Sequence, residues 1–226
     1  MPPDPASDSE SGPRRATGAP LVDFVADMRR LRAECDWKRA QTHRSLARYL
    51  LEETHETLEV LDAWDDAPGA RNDAAHLCEE LGDLLLQVCF HAAIAEERGD
   101  FTLDDVARGI AAKMRRRNPH VFGAAGERPV HEDAAAVNDA WQAIKATERP
   151  GATVTDGLPP SLPALLHADK VLDRLAREGT RPGPDTGTTG DPAHDVGERL
   201  LAVVAEARAA GVDPEQALRD AVRRRV

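Results

Sequence analysis

The sequence predicts an all-α fold, on three observations. Apolar residues recur at three- and four-residue spacing along most of the chain, which is the period of a helix face. Aromatic residues make up only 4% of a chain that is 41% hydrophobic, so the core must be built from Leu, Val, Ile and Ala. That composition suits helix packing better than sheets, which favour aromatic and β-branched side chains. The apolar stretches are punctuated by helix stops and starts: Gly99 after one run, then Thr102-Leu103-Asp104-Asp105, a helix-start signature with acids in its first turn.

The elements follow in order. Residues 1–20 are rich in Pro, Ser, Gly and Asp, lack the apolar core of a signal peptide, and read as a disordered tail. Leu21, Phe24, Val25, Met28 and Leu31 mark the face of a first helix. A turn region spans Cys35 to Thr42. Ser45 is placed to cap a second helix over 45–64, whose core stripe is Leu46, Leu50, Leu58 and Leu61. Pro68 and Gly69 mark the loop that follows. The third helix, 73–98, carries Leu77, Leu81, Leu84, Leu85, Val88 and Ile94 around almost its whole circumference, the pattern of a buried central helix. The fourth runs from Thr102 to Arg117 and stops before Pro119.

Residues 124–135 read as a loop, and a short helix is expected around Trp141. Residues 149–163, with four prolines, read as a linker. The remainder predicts two or three helices, interrupted by a Gly/Pro/Thr/Asp stretch at 179–192. A weak repeat relates 79–117 to 194–226: Gly82 aligns with Gly197, Gly99 with Gly211 after a three-residue gap, and both copies end in Arg runs. The match is short and rich in Ala, Leu and Arg, so chance convergence stands beside duplication.

Charge and cysteine content narrow the function. With 40 acidic against 29 basic side chains the net charge is -11, which argues against duplex nucleic acid as partner. No stretch approaches the roughly 18 apolar residues of a membrane span. Cys35, Cys78 and Cys89 form no C-x-x-C pair, and their odd number fits no closed disulfide set. A cytoplasmic, reducing setting is the default expectation. Cys78 and Cys89, inside the apolar run, are expected to be small core residues.

Carboxylates carry the chemical signal. The second helix contains Glu52-Glu53-x-x-Glu56 and the third contains Glu80-x-x-Asp83. Residues three or four apart share a helix face, where like charges repel unless a cation lies between them. A hard, all-oxygen donor set favours Mg²⁺ or Mn²⁺ over Zn²⁺. Solvated surface is the competing reading, and for Glu52 and Glu59 it is as good. It is weaker for Glu80 and Asp83, because buried carboxylates need a partner or a metal. Gln87 and His91 continue the same face as core or pocket-rim residues rather than ligands.

Lys113, Arg116 and Arg117 end the fourth helix, where cations complement the helix dipole. Beside a carboxylate–metal cluster they become candidate phosphate clamps. Trp141 and Lys145 share a face, and Trp141 reads either as a platform for a base or as packing.

Together these segments resemble the MazG family of nucleoside triphosphate pyrophosphohydrolases. The family pattern, E-E-x-x-E followed after a spacer by E-x-x-D, is matched here with 23 intervening residues. Q-T-H-R-S-L (41–46), E-E-L-G-D-L-L-L-Q-V (79–88), R-R-N-P-H-V-F-G (116–123), W-x-x-I-K (141–145) and G-L-P-P-S-L-P-A-L (157–165) are also similar to family segments. The resemblance implies a MazG-like helical bundle, usually a homodimer, that holds Mg²⁺ and hydrolyses a nucleoside triphosphate to monophosphate and pyrophosphate. It implies Glu53, Glu56, Glu80 and Asp83 as metal ligands, Glu52 as a further acid, and Lys113 and Arg117 as phosphate contacts.

Two departures stand out. The family's C-P-W-D is here Cys35-Asp36-Trp37-Lys38, which keeps Trp37 as a substrate-site candidate but alters the loop. In the second half Asp195 and Glu198 replace E-x-x-D, and the partner E-E-x-x-E is absent. The expectation is therefore a catalytic domain at 21–125, a Trp helix and linker at 126–160, and a degenerate second helical repeat at 161–226. House-cleaning of non-canonical or excess nucleotides is the expected role. A non-catalytic helical scaffold, or a related hydrolase of another nucleotide such as phosphoribosyl-ATP, are the alternatives.

Overall fold

A computed structural model describes residues 18–65, 67–124, 129, 133–148, 151, 153–180 and 190–225. Most of the expected tail, the middle of the 124–135 loop, part of the proline-rich linker and residues 181–189 lie outside them. Among the described residues every regular element is a helix, as expected for an all-α fold, and none is long and apolar enough to cross a membrane. The chain divides into two compact units, Met1–Lys113 and Met114–Val226.

The first unit begins with α1 (Ala19–Glu34), α2 (Asp36–Ala40), α3 (His43–Asp62) and α4 (Ala74–Glu97). The region from Cys35 to Thr42, expected to be a turn, holds the short helix α2. Its C-terminal carbonyls are satisfied by a buried guanidinium: Arg32, 6% exposed, donates to the carbonyls of Lys38, Arg39 and Gln41. The same side chain reaches Glu97 of α4 through Nε at 2.7 Å.

Helix α3 starts earlier than expected, and Thr42 is its cap. The Thr42 hydroxyl accepts from the Ser45 amide at 3.1 Å, and the Ser45 hydroxyl accepts from the Thr42 amide at 2.9 Å. Ser45 is thus the reciprocal partner of a capping box, three residues into the helix. Asp73 caps α4 by accepting from the His76 amide at 3.0 Å. Gly99 ends α4 with φ 73, where only glycine is at ease, and the Asp100 amide closes the turn onto the Ala95 carbonyl at 2.9 Å.

Helices α3 and α4 run antiparallel, with His43 opposite His91 and Glu53 opposite Gln87. Met28 of α1, Leu46 of α3, and Cys89, Phe90 and Ile94 of α4 form the core of the unit. The expectation that α4 is buried on nearly all sides is corrected. Leu81, Leu85 and Val88, along one stripe, are 51%, 40% and 43% exposed, and Cys78 is exposed too. Helices α1 and α3 cover only part of the circumference of α4, so its apolar pattern exceeds what they can bury.

Helix α5 (Leu103–Arg117) follows, and α6 (Pro119–Phe122) is a single turn that no periodic pattern announced. The Trp141 helix, α7 (Ala134–Thr147), is longer than expected because Asp133 caps it early, accepting from the Ala136 amide at 2.8 Å. The chain ends in α8 (Ala164–Arg177), α9 (Pro192–Ala209) and α10 (Pro214–Arg223), which pack around Leu172 and Val204. Arg208 ties α9 to α8 through Asp169 at 2.7 Å and Asp173 at 3.1 Å. Helix α9 stops as α4 does: Gly211 has φ 70 and the Val212 amide reaches the Ala207 carbonyl at 2.8 Å.

Candidate active site

Antiparallel pairing of α3 and α4 sets their acids against each other across the helix interface. One carboxylate oxygen each from Glu53, Glu80 and Asp83 lies within 4.8 Å of the others. Glu80 is 9% exposed, and Glu53 and Asp83 are half-buried. Three anionic groups in so small and dry a space repel one another. Accordingly the Glu53 carboxyl is pushed above its ordinary range, first by burial, then by its hydrogen bond with Glu56 and by the charges of Asp83 and Glu56. The Gln87 amide acts against this shift by donating to Glu53 Oε1 at 3.4 Å.

The donor set is all oxygen, partly buried, and short of positive charge. It fits a hard divalent cation, which would convert the mutual repulsion into attraction. Glu56 is exposed and stands beside Glu53 without joining the group of three. Glu52 is exposed and pairs with Arg48 at 3.2 Å, one turn back on the same helix.

Two neighbours of the cluster were not singled out from sequence. His76 Nε2 stands 3.0 Å from Glu80 Oε1; its signal was its place four residues before Glu80 on one helix. His43 meets His91 Nδ1 to Nδ1 at 2.8 Å, with the rings parallel within 3°. Nothing in the sequence paired these two histidines, because 48 positions separate them.

The cationic candidates are divided between the units. Lys113, half-buried near the end of α5, belongs to the first. Arg116, Arg117, Trp141 and Lys145 belong to the second and form one cluster there. Glu148 accepts from Arg116 Nε at 2.9 Å and from Arg117 Nε at 3.2 Å. Those two guanidiniums hold its carboxyl down to about 2. The Arg117 guanidinium is buried and sits 4.8 Å from the Trp141 ring centroid, with the Lys145 ammonium 5.4 Å from the same ring. Burial lowers the Lys145 ammonium, and the nearby charges of Arg174, Arg117 and Lys170 lower it further. Lys170 and Arg174 therefore extend the cationic set beyond the residues read from sequence. Trp37, on α2, is half exposed and meets Tyr49 edge-on at 6.1 Å.

Fold and site together define an all-helical protein whose antiparallel helix pair presents a carboxylate cluster suited to a divalent cation. Residues 41–122 match the model of the MazG nucleotide pyrophosphohydrolase domain. The chain is 35% identical over 230 residues to the nucleoside triphosphate pyrophosphohydrolase/pyrophosphatase MazG of Thermotoga maritima, covering 93% of this chain and 84% of that protein. It is 38% identical over 196 residues to the nucleoside triphosphate pyrophosphohydrolase of Escherichia coli K12, covering 85% and 68%. Against the protein of that name in Mycobacterium tuberculosis the identity is 40% over 214 residues, 94% of this chain and 58% of the other. The chain belongs to the MazG family.

Proposed function

We propose that this chain hydrolyses nucleoside triphosphates between the α and β phosphates, releasing a nucleoside monophosphate and pyrophosphate, with Mg²⁺ or Mn²⁺ as cofactor. The observation that carries the reading is the convergence of Glu53, Glu80 and Asp83 inside the segment that matches the family domain. Three relatives named for this activity support it. Removal of non-canonical or excess nucleotides is the proposed role, in the cytoplasm, a setting that suits three free cysteines.

Glu53, Glu80 and Asp83 hold the cation, and Glu56, hydrogen-bonded to Glu53, completes the set. When bound, the ion neutralises the triphosphate and lowers the pKa of a water. Glu52, outside the group of three, accepts the proton of the attacking water. Lys113, Arg116 and Arg117 bind phosphate oxygens, the two arginines exchanging Glu148 for phosphate, and stabilise the charge that develops on them. Trp141, Lys145 and Trp37 contact the rest of the nucleotide.

The second half is a degenerate copy without a second cation site. Its supports are the α9–Gly211–α10 device, which repeats α4–Gly99–α5, and the absence from the sequence of a second E-E-x-x-E motif to accompany Asp195-x-x-Glu198. The exposed stripe of Leu81, Leu85 and Val88 is proposed as the face that joins two copies into a homodimer.

The test is a panel of ribo-, deoxy- and damaged nucleoside triphosphates with Mg²⁺, scored for released pyrophosphate. Glu53→Ala and Asp83→Ala are expected to abolish release while remaining folded. Orthophosphate and diphosphate as products exclude α–β cleavage. No turnover of any nucleotide, with no rise in Tm on adding Mg²⁺ and nucleotide, favours the scaffold alternative.

A further inference from the structure

A polar strip runs along the inner face of α4, away from the acidic cluster and into the apolar core. After Asp83 come Gln87 and His91, each one helical turn further on. Gln87 is 4% exposed, on a helix whose neighbouring buried residues are Cys89, Phe90, Ala92, Ala93 and Ile94. A buried amide in such surroundings costs stability unless its polar atoms are paired. Half of it is: Nε2 donates to Glu53 Oε1 at 3.4 Å. The other half is not: Gln87 Oε1 and His91 Nε2 are both buried and have no hydrogen-bond partner among the described residues.

The two orphaned atoms belong to side chains one turn apart on the same helix face. Gln87 Oε1 can only accept. A contact between the pair satisfies both only if His91 carries its proton on Nε2, which leaves His91 Nδ1 as an acceptor. The partner of that nitrogen is already in place, His43 Nδ1 at 2.8 Å, and it must then be the donor. The remaining nitrogen of His43 is left as an acceptor on a half-buried ring. The two atoms are not bonded to each other as the side chains stand; once a turn of the Gln87 amide closes that contact, one assignment of tautomers satisfies every member, and each hydrogen bond in it points toward Glu53.

We propose that His43, His91 and Gln87 form a buried positioning chain behind the cation site. In it His43 Nδ1–H donates to His91 Nδ1, His91 Nε2–H to Gln87 Oε1, and Gln87 Nε2–H to Glu53, fixing the carboxylate of Glu53 for the ion. None of the three is a ligand. Gln87 acts on the site through Glu53, and the histidines act through Gln87. The chain crosses from α3 to α4 twice, at His43–His91 and at Gln87–Glu53, so it also fixes the register in which the two halves of the acidic cluster face each other. This inference rests on the reading of Glu53 as a cation ligand.

The test uses the full chain without metal or nucleotide. Long-range proton–nitrogen NMR of the histidine rings is expected to show His91 protonated on Nε2 and His43 on Nδ1. A proton on His91 Nδ1 overturns the chain, and this measurement needs no variant. Mn²⁺ affinity is then followed by the electron paramagnetic resonance signal of the free ion. Gln87→Leu is expected to weaken Mn²⁺ binding by about tenfold to a hundredfold, the usual effect of losing an outer-shell partner. Its metal-free Tm is expected to fall, because His91 Nε2–H is left without its acceptor and Glu53 without its donor. Unchanged affinity in Gln87→Leu, while Glu53→Gln loses the ion, overturns the positioning role and leaves the cation site standing. A metal-free Tm of Gln87→Leu equal to or above that of wild type shows that Gln87 Oε1 had no partner to lose and also overturns the chain. Full affinity in Glu53→Gln removes the cation reading on which the proposal rests.

Discussion

Replacing Asp83 by Asn should stabilise the metal-free protein while removing its response to Mg²⁺. Carboxylate oxygens of Asp83, Glu53 and Glu80 lie within 4.8 Å of one another. Two unit charges at that separation repel by about 3.5 kcal/mol at an effective dielectric of roughly 20. Asp83 and Glu53 are half-buried, so solvent screening reduces the recoverable part to about 1–2 kcal/mol. For a chain of this length that is a rise of roughly 2–8 °C in Tm. The pH dependence has a definite sign. The Glu53 carboxyl is raised in the folded protein, by burial first and then by Glu56 and Asp83. A raised acid binds its proton more readily folded than unfolded, so the metal-free wild type is relieved at low pH. It loses that relief as pH rises from the ordinary value of 4.5 through the higher folded value. Asp83→Asn removes one of the causes, so its profile should be flatter. The assay is scanning calorimetry in EDTA across that range, repeated with Mg²⁺. A lower Tm than wild type in EDTA would show that Asp83 has a stabilising partner in the folded chain, and the repulsion argument would fail.

Three further expectations follow from single contacts. Arg32→Met strands the carbonyls of Lys38, Arg39 and Gln41 and leaves Glu97 unpaired, so denaturant unfolding should show a loss of about 3 kcal/mol. Leu85→Glu puts a charge in the middle of the exposed stripe on α4 and should turn the proposed dimer into a folded monomer by sedimentation; an unchanged assembly would exclude this face as the interface. Glu148, held down to about 2 by Arg117 and Arg116, contributes stability present above its ordinary 4.5. That contribution disappears as pH falls toward 2, so Glu148→Gln should show a shallower acid transition than wild type.

Much of the fold was legible because helices announce themselves locally. The periodicity of Leu21 to Leu31, the capping residues around α3 to α5 and the glycine stop at Gly99 all act within a few residues of chain. The cap of α3 was misplaced by one turn for the same reason, since Thr42 and Ser45 are both competent and only the reciprocal bonding distinguishes them. The exposed stripe on α4 shows the opposite limit. Its apolar pattern says that Leu81, Leu85 and Val88 are to be covered, but not whether the cover comes from the same chain.

At the site the division is sharper. Spacing alone put Glu53 beside Glu56, and Glu80 beside Asp83, because a helix has only one period. Which acid of α3 meets the pair on α4 is a matter of the register between two antiparallel helices, and only the tertiary structure chose Glu53 and left Glu56 at the margin. The same holds for the cations: Arg116 and Arg117 read as a basic cluster, yet Glu148, more than thirty positions on, already takes their charge. His91 read from sequence only as a core or pocket-rim residue, and nothing linked it to His43 until α3 lay against α4. Interactions along one helix are encoded by short sequence separations and survive in any context that keeps it helical. Interactions between helices depend on how their apolar faces interlock, and here Met28, Leu46, Phe90 and Ile94 decide which polar side chains are brought together.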